Sequence, residues 1–177
     1  MALHTTFLRW WLYVIATCAG VYFAYEFGVF HEIYDKDASK LSFVIMAGFA
    51  GMTVWCGIKT FFVSRAINLA RTPNVPGHLV LSRAAENAIQ KEEYGWFACN
   101  KFEQIGYIGT LIGFIMLLGG FAQLDPSQLK SLQAFIITLG AGMMTALYTT
   151  LVGLTCSHLL SYQYHNLGQG IKELTEE

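Results

Sequence analysis

Four long apolar runs, almost free of charged residues, constrain this chain more than any other feature. The first contains only Arg9 and Glu26 as charged residues, the second contains only Lys59, and the last two contain none. Each run approaches or exceeds the ~20 residues that a helix needs to cross a bilayer. The pattern predicts an all-α integral membrane protein with four transmembrane helices. The runs cover residues 7–30, 41–63, 105–122 and 132–171.

Composition supports the same fold class. The chain has 177 residues, of which 54% are hydrophobic and 13% are charged. That charged fraction is about half of the ~25% found in soluble domains. The formal net charge of -1 provides no concentrated basic surface for nucleic acid. A soluble domain and a nucleic-acid-binding protein are both disfavoured.

The placement of lysine and arginine predicts the orientation in the membrane. Basic residues are enriched in cytoplasmic segments, and an inside amino terminus puts eight of them inside and three outside. Both termini are then cytoplasmic, residues 31–40 and 123–131 are short outer loops, and residues 64–101 form one inner segment. The inner residues are Arg9, Lys59, Arg65, Arg71, Arg83, Lys91, Lys101 and Lys172, and the outer ones are Lys36, Lys40 and Lys130.

The inner segment shows a helical pattern with one break. Residues 65–71 continue the period of the second span, and Pro73, Pro76 and Gly77 then stop the helix. From Leu79 the pattern favours an amphipathic helix that runs into the third span, although a solvated connector would also fit. The fourth run would be ~60 Å long as one helix, about twice the hydrocarbon thickness, so its polar end is expected to leave the membrane.

These observations predict three parts. Residues 1–63 hold two amino-terminal spans, residues 64–103 form a cytoplasmic helical segment, and residues 104–177 hold two more spans with a cytoplasmic extension. The four cysteines and five histidines form no metal-binding or disulfide spacing, and no catalytic set can be assembled. We therefore expect neither an enzyme nor a bound cofactor or metal.

Small residues recur every three or four positions on the last two spans. Such stripes allow helix backbones to approach closely in lipid, where no hydrophobic force drives helices together. They predict either plain helix packing or the packed wall of a pore. The residues are Gly106, Gly109 and Gly113 in the third span, and Gly142, Ala146 and Gly153 in the fourth.

Four threonines on these spans are a candidate ion pathway: Thr110, Thr145, Thr149 and Thr150. Their hydroxyls at membrane depth can line a file of ions or water, or they can bond carbonyls of their own helix. The membrane core of these two spans contains no acid or base, whereas proton and sodium relays normally use one. Glu26 lies near the outer end of its span. A partner would therefore have to supply the carboxylate.

Residues 106–114 (GYIGTLIGF) and 140–154 (GAGMMTALYTTLVGL) resemble the paired signatures of the MotA/TolQ/ExbB family. The resemblance covers roughly residues 106–160. It implies a homopentamer in the bacterial inner membrane around a dimeric, single-span MotB/TolR/ExbD-like partner that carries a membrane aspartate. It further implies a motor or stator subunit that couples the flow of H⁺ or Na⁺ to mechanical work.

Individual positions refine this resemblance. Thr110 and Thr150 match threonines of the family's last two spans, whereas Thr145 stands where TolQ and ExbB carry a glutamate. The pair Thr149–Thr150 resembles that of sodium-driven flagellar stators, but proton-driven members also have threonines at the positions of Thr110 and Thr150, so both ions stay open. The four-span layout resembles the flagellar stator. The alternative function is a non-conducting four-helix membrane scaffold.

Overall fold

The chain is all-helical in the part that the computed structural model describes, residues 5–70, 77–122 and 129–176. Four helices there are long and apolar enough to cross a membrane, over Phe7–Glu26, Leu41–Ala66, Glu93–Ala122 and Leu129–Lys172. These spans confirm the prediction of a multi-pass membrane protein. The helices are α1 (Thr5–Glu26), α2 (Val29–Lys36), α3 (Leu41–Ala70), α4 (Gly77–Ala122) and α5 (Leu129–Glu176).

The first predicted outer loop, residues 31–40, is largely helical, because α2 covers its first part. Gly28 separates α1 from α2 with a φ of 71°, a left-handed conformation that glycine adopts without steric cost. Two side-chain pairs four residues apart then support α2. Lys36 Nζ lies 3.6 Å from Glu32 Oε1, and His31 Nε2 lies 3.4 Å from Asp35 Oδ2.

The helix of the predicted inner segment continues without a break into the third span. α4 contains 46 residues and begins at Gly77. α3 continues beyond the second apolar run to Ala70, as the helical period of residues 65–71 predicts. The predicted stop at residues 72–76 and the turn at residues 123–128 lie outside the described residues. The fourth run forms one helix of 48 residues, α5.

Two compact units can be distinguished along the chain, and several helices contribute to both. In unit 1 (Met1–Tyr22, Phe49–Cys99 and His158–Glu177), α1 packs on α3 and α5. The Trp10 ring covers Gly57, where a side chain would collide with it. Tyr13 stacks on Tyr162 with ring centroids 6.5 Å apart. Aromatic contacts therefore help to hold α1 against α3 and α5.

The polar end of α5 contributes to the core of unit 1. Gln163 is 1% exposed and Asn166 is 4% exposed, and the Gln163 Nε2 atom donates to Thr53 Oγ1 at 3.3 Å. The sequence predicts that this segment leaves the membrane because it is polar. Burial of Gln163 and Asn166 inside unit 1 is compatible with polar groups that are satisfied by hydrogen bonds, and the exit from the membrane stays a prediction.

In unit 2 (Phe23–Gly48 and Asn100–Ser157), α4 and α5 form an antiparallel pair. Gly106 faces Thr150, and Gly113, further along α4, faces Gly142, earlier on α5. The α2–α3 segment packs against this pair. The candidate functional site lies where the two long helices approach most closely.

A pair of glycines on α5 tests this close approach. A Cβ atom at Gly142 would lie 2.7 Å from the Gly113 carbonyl oxygen, whereas a Cβ atom at Gly140 would meet nothing within 4 Å. Both Gly→Ala changes gain the same helix propensity, so the difference between them isolates the packing clash. We expect Gly142→Ala to be less stable than Gly140→Ala by ~1–3 kcal/mol. Equilibrium unfolding in mixed detergent micelles measures this difference, and equal stabilities would contradict the close crossing.

Candidate functional site

The α4–α5 crossing brings two backbones into direct contact. A Cβ atom on Gly153 would lie 2.9 Å from the Phe102 carbonyl oxygen, and one on Gly106 would lie 3.2 Å from the Thr149 carbonyl oxygen. Neither position leaves room for a larger residue unless a backbone moves. The glycines let polar side chains of one helix reach the backbone of the other. All six predicted packing residues, including Gly109 and Ala146, lie at this contact.

The hydroxyls of Thr110 and Thr150 are hydrogen-bonded to each other across the crossing, and both side chains are partly exposed. Thr150 Oγ1 also lies 2.9 Å from the Ala146 carbonyl oxygen, and Thr110 Oγ1 lies 3.3 Å from that of Gly106. Each hydroxyl has one proton and two lone pairs. If Thr150 donates to Ala146, then Thr110 donates to Thr150, and oxygen lone pairs remain available to water, a cation or a donor.

The two other threonines of the predicted pathway lie in different environments. Thr149 is 0% exposed and donates to the Thr145 carbonyl at 2.8 Å, and its side chain fills the space beside Gly109. Its hydroxyl is satisfied within its own helix. The structure therefore brings Thr110 and Thr150 together and places Thr149 in the packed core of unit 2.

Thr145 anchors the segment between α2 and α3. Its side chain is 0% exposed, its hydroxyl donates to the Lys36 carbonyl at 3.1 Å, and it accepts from the Ala38 amide at 3.2 Å. Both backbone groups would otherwise lack these partners at the end of α2. The Thr145 side chain thus attaches the α2–α3 linker (residues 37–40) to α5 through two hydrogen bonds.

Asp37 stabilises that linker through a buried carboxylate. Its carboxylate is 1% exposed and accepts from the backbone amides of Ser39, Lys40 and Ser42 at 3.1 Å each, and from the Ser39 hydroxyl at 2.7 Å. These donors include amides at the start of α3, where the helix dipole favours a negative charge. Lys40 has a φ of 52°, a left-handed conformation uncommon for a residue with a side chain. The carboxylate helps hold this turn.

A second polar contact joins α2 to α5 one turn from the first. The Tyr148 hydroxyl donates to the Glu32 carboxylate at 2.8 Å. This bond, followed by the charge of Lys36, lowers the pKa of Glu32 below its usual value. Glu32 thus favours its charged form in this contact. Because Glu32 pairs with Tyr148 and Lys36 with Thr145, α2 runs antiparallel to α5.

The polar side chains that meet across the α4–α5 crossing are the neutral hydroxyls of Thr110 and Thr150. Glu26, the acid of the first span, is the exposed last residue of α1. Within the described residues, no three His, Cys, Asp or Glu side chains are grouped to hold a metal ion. The described cysteines are free thiols, and Cys56, Cys99 and Cys156 are buried. The crossing can therefore offer hydroxyl and carbonyl oxygens to an ion.

Sequence reasoning missed the linker contacts. Asp37 precedes an apolar helix by four residues and is followed by Ser39, a composition typical of a helix start, so its capping role had a local signal. The contacts of Thr145 with Lys36 and Ala38 join residues 109 and 107 positions apart and had no such signal.

Thr145 supports a prediction about the linker. Thr145→Val keeps the shape of the side chain but leaves the Ala38 amide and the Lys36 carbonyl unpaired, which costs ~1–3 kcal/mol for a buried group. We expect amide hydrogen exchange in a peptide covering the linker to rise by roughly tenfold or more. Hydrogen-exchange mass spectrometry measures this, and Thr145→Ser, which retains the hydroxyl, is the control. Equal exchange in both variants would rule out the anchoring role.

No family model matches the chain, and no curated protein or solved structure matches it. The two segments that resemble the family signatures, residues 106–114 and 140–154, form most of the α4–α5 crossing. Those segments contribute the closest backbone contacts of unit 2 and its hydroxyl pair.

Proposed function

We propose that this protein is the ring-forming, ion-conducting subunit of a motor complex in the bacterial inner membrane. The complex couples the flow of H⁺ or Na⁺ to mechanical work through a dimeric single-span partner that supplies a membrane aspartate. Both termini are cytoplasmic in this arrangement, as the lysine and arginine bias favours.

The hydroxyl pair of Thr110 and Thr150 carries the proposal. Both side chains are partly exposed at membrane-spanning positions, and the glycines around them bring the two helices close enough for the hydroxyls to bond. A hydroxyl can donate to a carboxylate and accept from water or a cation. The pair is therefore suited to a partner's aspartate that alternates between a charged and a neutral or sodium-bound state.

The absence of an acid from the third and fourth spans supports the need for a partner. No Asp, Glu, Lys or Arg occurs from Ile105 to Ala122 or from Ser131 to Ile171. Hydroxyls do not release protons near neutral pH, so the Thr110–Thr150 pair can position and solvate an ion but cannot exchange a proton itself. The missing ionisable group defines the chemistry that the partner must bring.

The apolar surface of unit 2 supports assembly. Thr145 lies 16 residues after Leu129, the first residue of α5, so the α4–α5 hairpin extends about 24 Å beyond the linker. The α2 side chains beside that linker are charged and exposed, so this level faces water, a headgroup layer or a wet cavity. The hairpin beyond it exposes large apolar side chains, and packing of neighbouring copies would cover part of them. They include Leu111, Phe114, Ile115, Leu118, Phe121, Leu132, Ile136 and Ile137.

A non-conducting membrane scaffold is the second candidate, and the buried threonines favour it. Thr145 and Thr149 are fully buried and bonded to backbone groups of their own unit. Two of the four pathway threonines thus have structural roles. If Thr110 and Thr150 also have only structural roles, none of the four threonines takes part in ion conduction.

Ion flux separates the two candidates. Thr110→Val and Thr150→Val keep side-chain shape and remove the hydroxyls, and the lost bond should cost only about 0.6–2 kcal/mol in a membrane. In vesicles reconstituted with the complex purified from native membranes, we expect the double variant to assemble and to lose most of its flux, by tenfold or more. A pH-sensitive dye measures proton uptake, and repeating the assay across a sodium gradient identifies the ion.

Thr17→Val is the matched control, because Thr17 on α1 donates to the Tyr13 carbonyl at 2.7 Å and contributes only a bond within its helix. Its flux should equal that of the unmodified complex. Full flux in the double variant would remove the hydroxyl pair from the pathway. Loss of both assembly and flux would indicate that the hydroxyl pair serves helix packing, and it would favour the scaffold.

The ring itself is open to direct measurement. The resemblance of residues 106–114 and 140–154 to the MotA/TolQ/ExbB signatures implies a closed, symmetric assembly of five copies. Native mass spectrometry from detergent micelles should show a pentamer, with a heavier species that also contains two partner chains. A monomer or dimer as the largest species would rule out the ring.

A further inference from the structure

An open pocket of about 570 Å³ lies where α1 meets α2, in unit 2. Its volume is within the range of small-ligand sites. Four aromatic rings and two polar side chains line it: Tyr25, Phe30, Tyr34, Phe43, Glu26 and His31, with Gly28 at the bend. The left-handed Gly28 turns α2 back from α1 and thereby opens the space between them.

The lining is suited to a positively charged ligand. Aromatic rings attract ammonium groups through their negative faces, and a nearby carboxylate adds a full negative charge. One such contact already exists, because the Lys40 ammonium lies 4.2 Å from the centre of the Tyr34 ring. Tyr34 and Phe43 meet edge to face with centroids 6.0 Å apart, which fixes the orientation of the two rings.

The location of the pocket at the end of a span indicates where its ligand comes from. Glu26 is the last residue of the candidate span Phe7–Glu26. The side chains around it are aromatic and exposed, with Tyr25 at 70% and Phe27 at 81%. Exposed tyrosines at the end of a span are typical of the headgroup layer of a bilayer. Phospholipid headgroups are concentrated there, whereas a free amine would have to be captured from dilute solution.

We propose that this pocket binds the ammonium headgroup of a zwitterionic phospholipid of the phosphatidylethanolamine or phosphatidylcholine type. The Glu26 carboxylate pairs with the ammonium, and the face of the Tyr25 ring contacts it through a cation–π interaction. The Lys40 ammonium, held over Tyr34, provides a positive charge for the lipid phosphate. This assignment depends on the membrane spans and the pocket, and it is independent of ion conduction.

Lipid titration with detection by native mass spectrometry tests the proposal. Phosphatidylethanolamine, phosphatidylcholine and phosphatidylglycerol with identical acyl chains differ only in the headgroup, so tail contacts cancel. We expect the two ammonium lipids to bind at least threefold more tightly than phosphatidylglycerol. Glu26→Gln should abolish this preference, and Tyr25→Leu should weaken ammonium-lipid binding by roughly two- to fivefold, the range expected for a cation–π contact at an exposed site.

Phe27→Leu is the control, because Phe27 is an equally exposed aromatic residue outside the pocket lining. It should bind all three lipids as the unmodified chain does. Equal binding of the three lipids by the unmodified chain would overturn the proposal, as would an unchanged preference in Glu26→Gln. Soluble ethanolamine and choline form a separate arm of the experiment. If either displaces the lipid at micromolar concentration, the site recognises a free amine and the lipid assignment is wrong.

Discussion

The close approach of the α4 and α5 backbones is the contact on which the rest of unit 2 depends. Hydrophobic burial does not drive helices together inside a bilayer, so the contact must be made by packing and by polar groups. Glycine allows both, because it removes the side chains that would separate the backbones. At this distance the Thr110 and Thr150 hydroxyls bond to each other, and Thr149 fills the space beside Gly109. If the helices were further apart, the Thr110 and Thr150 hydroxyls could not bond to each other, and Thr149 would lose its packing contact with Gly109.

The second structural constraint is the attachment of the α2–α3 linker to α5. Thr145 satisfies two backbone groups of the linker, and Asp37 satisfies amides at the start of α3. The linker carries buried backbone groups and a buried carboxylate, and each would cost free energy if it lacked a partner. These bonds determine the position of α2 along α5. Because α2 is charged, they also determine where a polar level occurs along an otherwise apolar hairpin.

The separation of the four threonines bears directly on function. Two are buried and fully engaged with backbone groups, so their hydroxyls have a structural purpose that needs no ion. The other two are partly exposed and retain lone pairs after their mutual bond. A neutral hydroxyl pair can stabilise either form of a titrating group without changing charge itself, which is the property required beside a partner's carboxylate. The motor and scaffold proposals therefore differ in the role of a single pair of side chains.

The sequence by itself determined the membrane class and the four long helices, because a run of apolar residues longer than the bilayer leaves few alternatives. The spacing of Gly106, Gly109 and Gly113 on one helix, and of Gly142 and Ala146 on the other, also contains the information for a close helix contact, since residues three or four apart share one face of a helix. Only the tertiary structure decided which threonines are buried and bonded to backbone groups, and which are partly exposed at the crossing. The four hydroxyls are chemically identical, and the partners of Thr145 lie more than 100 residues away along the chain. Hydroxyl function depends on the groups within hydrogen-bonding distance, and those distances are set by the packing of distant helices rather than by local sequence.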